Sequence, residues 1–279
     1  MCLVLLAWRT HEACPLFLVA NRDELYRRPA LPLAPWRDAP EIIGGRDLEA
    51  GGGWLAAHAD GRFAAITNVR QGDALPGQES RGEILTRYFN NHLEPHEFIE
   101  KIEMNSYAGF NLLLGSRQEV LYCSNRNGVR PRSLSPGIYG LSNHRLDTPW
   151  PKLLKSRRVF AAALDPLDAL PAPEVFFRIL SDRGLAPDHD LPHTGVPLEI
   201  ERMLSAIFIV SPTYGTRAST LMRQHPDGHF SMIERSFGPN GVFLGESRAE
   251  TGPASGFRAH SFGGVANRSA FHNENAARP

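Results

Sequence analysis

Two segments at the start of the chain constrain the fold most. Between residues 2 and 8 the apolar side chains fall on both parities, Leu3, Leu5 and Ala7 on one and Val4, Leu6 and Trp8 on the other; residues 15–20 repeat the pattern. Successive side chains of a strand point to opposite faces, so a strand that is apolar on both must be covered on both. Joined by the short polar link 9–14, the two segments read as a hairpin inside a layered sheet core. Two more twin-faced segments, 206–211 and 217–224, are followed by an expected strand at 229–236. Further strands are expected at 54–59, 62–68, 109–115, 119–124 and 138–141, and helices at 81–91, 95–104, 149–163 and 173–182. Ser80 and Glu83 have the spacing of a capping box for the first helix. Residues 29–40, punctuated by proline, read as an extended loop. Strands and helices in these blocks predict one α+β domain.

Composition removes several function classes. With 30 basic and 30 acidic residues in 279, and no basic stripe, the chain lacks the cationic surface that nucleic acid requires. No apolar run approaches the roughly 18 residues of a membrane span. The apolar start lacks a basic leader and is ended by Arg9 to Glu12, so it reads as a strand rather than a secretion signal. Cys2, Cys14 and Cys123 are too few and too odd in number for a disulfide framework, which points to a reducing compartment, the cytoplasm. From Gly245 the periodicity fades into Gly, Ser, Ala, Asn and Arg; residues 1–244 are therefore read as the domain and 245–279 as a disordered tail.

Cys2 is the residue with the most chemical potential. If Met1 is removed, it carries a thiol and a free α-amine whose pKa of about 7.7 to 8.0 makes it a base near neutrality. A buried strand cysteine explains the same residue without chemistry. Strand register adds weight to the first reading. If Trp8 pairs roughly opposite Leu16, Cys2 falls opposite Arg22, between Asn21 and Asp23. Asn21 and Asp23 then share one face, Arg22 and Glu24 the other. The four polar residues that close this apolar strand serve equally well as a solvated strand end.

The start Met1-Cys2 and the run Ala20-Asn21-Arg22-Asp23-Glu24 resemble the NRDE family, also called the transport and Golgi organisation protein 2 family. The resemblance continues through Ile43–Asp47, Gly51–Leu55, Thr67–Arg70, Ser80–Glu83, Gly109–Gly115, Gly140–Asn143, Asp147–Lys152 and Tyr214–Arg217, with Gly53 where a Thr is expected. It implies an αββα four-layer sandwich of the N-terminal-nucleophile hydrolase type, related to penicillin V acylases and bile salt hydrolases. It further implies Cys2 as nucleophile, Arg22 and Asp23 as its partners on the adjacent strand, and Asn68, Asn143 and Arg217 as the other members of the site. Asn68 and Asn143 are expected to offer side-chain N–H groups to an oxyanion, and Arg22 or Arg217 to lower the thiol pKa. Turn chemistry accounts for the two asparagines, and an ion pair for Arg217, without catalysis.

The expected activity is hydrolysis of a small-molecule amide or thioester, with no cofactor required. The family has also been linked to haem trafficking and to lipid or acyl-coenzyme A homeostasis, so the alternative is a non-catalytic carrier on the same fold, with Cys14-Pro15 as a weak candidate haem ligand. His92 with His96 and His189 with His193 lack the context of a metal site, and Gly51-Gly52-Gly53 lacks the Lys of a phosphate loop.

Overall fold

The predicted hairpin forms in the predicted register. In the computed structural model, which describes residues 2–70, 79–126, 128–164 and 171–252, β1 (Cys2–Trp8) pairs antiparallel with β2 (Leu16–Leu25), Trp8 opposite Leu16 and Cys2 opposite Arg22. On its other side β1 pairs with β10 (Gly137–Leu141). On its far side β2 pairs with β11 (Tyr214–Gln224), which continues into β12 (Phe230–Phe237) and β13 (Phe243–Glu250), completing a six-stranded sheet. The second sheet runs in sequence order through β3 (Ala30–Trp36), β4 (Ala39–Asp47), β5 (Leu55–His58), β6 (Phe63–Asn68), β7 (Phe110–Gly115), β8 (Val120–Ser124) and β9 (Arg132–Ser133).

Three cores explain the twin-faced strands. Val4, Leu6, Leu16 and Leu18 of the first sheet meet Ile43, Leu55, Ala65 and Leu113 of the second between the layers. On the outer face of the second sheet, Ile66, Leu112 and Leu114 pack under α1 (Glu83–Phe89) and α2 (Pro95–Glu100) through Ile84, Tyr88 and Phe98. On the outer face of the first, Leu3, Leu5, Phe17 and Val19 pack under α3 (Pro151–Leu164) and α4 (Pro173–Leu180) through Leu153, Phe160, Phe176 and Phe177. The chain is thus an α+β protein with αββα layering. Burial of apolar surface on both sides of both sheets is the main stabilising term.

Four expectations fail for identifiable reasons. Residues 29–40 are not a loop: they contribute β3 and the start of β4, and prolines 32 and 35 are tolerated because β3 is an edge strand, paired only with β4, whose ladder is irregular between Leu31 and Ala34 and again after Pro35. Residues 206–211 are no strand; they link α5 (Leu198–Leu204) to β11 and are held there by hydrogen bonds from Thr216 N to Ile209 O and from Ile209 N to Thr216 Oγ1. Ser80 does not cap α1, whose N-cap is Gly82 with no side-chain bond; the capping box belongs to α2, through Glu94 and Glu97. The domain does not stop at 244 either, because β13 runs to Glu250 as the sheet's last strand; residues 253–279 of the expected tail lie outside the described residues.

Candidate functional site

The end of β1 and the polar end of β2 open onto a cavity of about 640 Å³. Its walls include Cys2, Arg22, Asp23, Trp54, Asn68 and Arg81. Cys2 is half-buried, whereas Cys14 and Cys123 are buried. Register places Cys2 there: it is the first residue of a strand fixed by both neighbours, so it cannot slide without moving every apolar side chain to the wrong face.

An amide network holds the head of β1. The Cys2 main-chain N donates to Asn143 Oδ1 at 3.3 Å, and Ser142 Oγ donates to the Cys2 carbonyl at 3.0 Å. Asn143 Nδ2 donates to Asn68 O at 3.0 Å and to Asn68 Oδ1 at 2.9 Å. A main-chain oxygen can only accept, so Asn68 O fixes which end of the Asn143 amide is nitrogen, and Asn143 in turn fixes Asn68. Thr67 Oγ1 donates to Ser142 O at 2.9 Å and accepts from Asn111 Nδ2 at 3.2 Å, tying the network to the second sheet. The two asparagines are brought together, but differently from expectation. Asn143 spends its donor on Asn68 and faces Cys2 with its oxygen, which leaves Asn68 Nδ2 without a protein partner among the described residues.

The polar run of β2 divides between two faces as its alternation requires. Asn21 and Asp23 point away from the other sheet: Asn21 Nδ2 donates to Leu180 O and Ile207 O at 2.8 Å each, and Asp23 Oδ1 accepts from Thr216 Oγ1 at 2.6 Å. A β-bulge at Arg217 makes the second bond possible. With one extra residue between the Thr216–Asp23 and Ala218–Arg22 pairs, Thr216 and Ser219 fall on the same face despite their odd separation, and Ser219 Oγ donates to Asn21 Oδ1 at 2.6 Å. On the inner face Arg22 donates to Asp47 Oδ2 at 3.3 Å and lies over the Trp54 ring, 4.0 Å from its centroid.

Arg217 does not join the others. As the bulged residue it turns to the loop after β2, where Nη1 donates to the carbonyls of Leu25 and Arg28, and it lines a neighbouring groove rather than the Cys2 cavity. Gly53, where the resemblance leads one to expect Thr, sits against Trp36: a Cβ there would come within 2.9 Å of the ring.

Burial dominates the electrostatics. It pushes the Cys2 thiol up, and Asp23 adds to the rise while Arg22 opposes it. Burial also pushes Asp23 up, against the pull of Lys152 and of the Thr216 hydrogen bond. Cys14 is buried, donates its thiol to Leu16 O at 3.1 Å, and is pushed up to about 11 by desolvation, which disfavours the thiolate that haem ligation uses. No group of three or more His, Cys, Asp or Glu among the described residues could hold a metal.

Several residues at the site escaped the sequence reading as carriers of chemistry. Arg81 lines the cavity and donates to Gly109 O at 3.0 Å. Arg70, which follows β6, forms a buried pair with Glu201 of α5 at 2.6 Å, and Thr194 closes it by donating N and Oγ1 to Glu201 Oε1 at 2.9 and 2.5 Å. That pair anchors α5, whose Ile200, Met203 and Leu204 form the apolar wall of the cavity. Neither partner carries a local signal, since they stand 131 residues apart.

Fold and site together define an αββα sandwich with a cysteine at the head of an interior strand, the layering expected of the N-terminal-nucleophile hydrolase type. The chain belongs to the Transport and Golgi organisation 2 family, whose model matches residues 1–239. It is 34% identical over 242 residues to the human Transport and Golgi organization protein 2 homolog, covering 81% of this chain and 87% of that protein. The mouse homolog is 33% identical over 241 residues, with the same coverage. Among solved structures, the chain is similar to a C2A mutant of conjugated bile acid hydrolase from Clostridium perfringens (8% identity, 94% of this chain and 97% of that one, TM-score 0.44). It is similar also to an N-acylethanolamine-hydrolyzing acid amidase ortholog from Caenorhabditis elegans (12% identity, 79% and 92%, TM-score 0.42). No helix among the described residues is long and apolar enough to cross a membrane.

Proposed function

We propose that the protein is a cysteine N-terminal-nucleophile hydrolase acting on an amide or thioester bond of a small molecule, with Cys2 as nucleophile after Met1 is removed. The observation that carries this reading is the position of Cys2: half-buried on the wall of a cavity, with its main-chain nitrogen held by Asn143 Oδ1. That nitrogen becomes the α-amine of the mature chain.

In this mechanism the α-amine takes the thiol proton and Cys2 Sγ attacks the carbonyl carbon. The carbonyl oxygen becomes an oxyanion, to which Asn68 Nδ2 donates. As the tetrahedral intermediate collapses, the bond to the leaving amine or thiol breaks, and the α-ammonium returns its proton to that group. Water then hydrolyses the Cys2 thioester, again with the α-amine as base, releasing a carboxylic acid and regenerating the thiol. No step needs a cofactor. Asn143 positions the amine, and Arg22 supplies positive charge near the sulfur while Trp54 and Asp47 hold it in place. Three free cysteines suit a reducing compartment, and we place the protein in the cytoplasm.

The test begins with the denatured mass of protein purified from its own host. Loss of one methionine, followed by acylation of Cys2 on incubation with p-nitrophenyl acetate and its absence in Cys2→Ala, supports the enzyme. A chain that retains Met1 and carries a small molecule through native mass spectrometry overturns it in favour of the carrier.

A further inference from the structure

Arg22, Arg28 and Arg81 all line the Cys2 cavity. The first two are engaged by a carboxylate: both donate to Asp47 Oδ2, at 3.3 and 2.6 Å. Glu24 accepts from the Leu25 main-chain N at 2.8 Å and stands 3.9 Å from Arg22, and Asp23 accepts from Thr216 Oγ1 at 2.6 Å. Arg81 is different. Its one hydrogen bond among the described residues runs from Nη1 to the Gly109 carbonyl at 3.0 Å, and it pairs with no carboxylate among them. The side chain is partly buried, and loss of water disfavours its charge; Cys2 and Glu24 favour it and Arg28 opposes. A single main-chain oxygen returns only part of what that water supplied, so the guanidinium is short of a negative partner.

Its place is fixed from both ends. At the main chain, Arg81 lies in the turn before α1, where Glu83 N donates to Ser80 O and Ile84 N to Arg81 O, at 3.1 Å each. The next residue, Gly82, packs against the main chain of Gly52 and Gly53. At the tip, the Gly109 carbonyl that holds Nη1 also accepts from Val69 N at 2.9 Å. Val69 follows Asn68, so the guanidinium is tied to the corner that carries the oxyanion donor. Ile200, Met203 and Leu204 of α5 give the same cavity its apolar wall.

We infer that Arg81 is a specificity-determining residue of the Cys2 cavity: it binds an anionic group, a carboxylate or its equivalent, that the substrate carries close to the bond being broken, while the apolar remainder of the molecule lies against α5. The inference rests on the reading of this cavity as the substrate site and narrows its substrates to acid-bearing amides or thioesters. A guanidinium fork fits a carboxylate through two parallel N–H···O bonds, and the bond to Gly109 O leaves the other N–H groups of the fork to make them. A neutral ester in the same place leaves the cation unpaired and is rejected accordingly. The anion belongs either to the acyl part or to the departing amine, and the test separates the two.

The experiment compares kcat/KM for two matched pairs of chromogenic anilides in the wild type, Arg81→Gln and Arg81→Lys. The acyl pair is glutaric acid mono-p-nitroanilide and its methyl ester; the leaving-group pair is 5-acetamido-2-nitrobenzoic acid and its methyl ester. The wild type should prefer the acid by roughly 10- to 100-fold in one pair, and that pair locates the anion. Arg81→Gln, which keeps a donor for Gly109 O but no charge, should lose the preference, chiefly through KM; Arg81→Lys, a point charge without the fork, should keep part of it. An arginine that only braces Gly109 predicts the same acid-to-ester ratio in all three proteins. No acid preference in either wild-type pair, or an unchanged ratio in a folded Arg81→Gln, overturns the inference. If Arg81→Gln does not fold, an Arg81→Lys ratio below that of the wild type supports it and an equal one overturns it. Absence of all turnover counts against the Cys2 reading alone; calorimetric titration of the Cys2→Ala protein then decides, tighter binding of an acid than of its ester supporting the anion site and equal affinities overturning it.

Discussion

Asn143 orients Asn68: a single amide nitrogen donates to both the main-chain oxygen and the Oδ1 of Asn68, at 3.0 and 2.9 Å. The consequence is a division of labour between residues that their sequence context makes look equivalent. Asn68→Ala removes the available oxyanion donor and should lower acyl transfer from p-nitrophenyl acetate by about 100- to 1000-fold with little change in KM. Asn143→Asp places a carboxylate against two oxygens of Asn68 and should lose that activity and thermal stability together. Steady-state rates and melting curves of the two variants separate the roles.

The Arg70–Glu201 pair is a stability element. Glu201→Ala leaves a buried guanidinium without its carboxylate and should cost about 3 to 5 kcal/mol in urea unfolding. Arg70→Met combined with Glu201→Leu should recover most of that loss, because two apolar side chains avoid the desolvation of two charges. If the double variant is no more stable than Glu201→Ala, the pair is more than a replaceable bridge.

Gly52 and Gly82 bring two walls of the cavity into backbone contact. A Cβ at Gly52 would lie 2.2 Å from the Gly82 carbonyl, so Gly52→Ala has to push the 80–82 segment outward. Because Arg81 lies in that segment, the variant should lower the melting temperature and also change the rate of Cys2 alkylation. Gly51→Ala is the control: no atom lies within 4 Å of its Cβ, although its φ of 72° carries a conformational cost that Gly52 lacks.

Asp60 provides a pH signature outside the site. Burial pulls its carboxyl up, but His58, the Arg62 amide and the Arg62 guanidinium outweigh that and hold it at about 2. A carboxyl lowered on folding contributes stability above its unfolded value, about 3.9, and loses it as pH falls through the folded one. The stability difference between wild type and Asp60→Asn should therefore stay constant above about pH 5 and shrink towards pH 2. A difference that is flat across this range contradicts the assignment.

Much of the fold was legible because burial writes itself locally. The twin-faced β1 and β2 announced a covered sheet, and the short link between them set the Cys2–Arg22 pairing. What failed were segments whose structure depends on distant partners. Pro32 and Pro35 disguised a strand because nothing in their neighbourhood says that it lies at an edge. The 206–211 segment has a strand's composition, but its amide and carbonyl at Ile209 serve Thr216. At the site, the Asn21–Glu24 run and its two faces could be placed by counting. The direction of the Asn143 amide and the turning away of Arg217 could not, since each is decided by contacts between layers.

The extra residue at Arg217 makes β11 a strand read in two frames. From Ala218 onward one parity faces α4, and before Arg217 the opposite parity does; this is how Thr216 reaches Asp23 while Ser219 reaches Asn21. Deleting Arg217 would restore a single frame and invert the leading end of the strand, turning Thr216 from Asp23 while leaving the hydrophobic half in place. Substitution of the same residue changes only what hangs from the bulge. At this position length therefore counts for more than identity, and chains that vary the side chain here can keep the site where chains that lose the residue cannot.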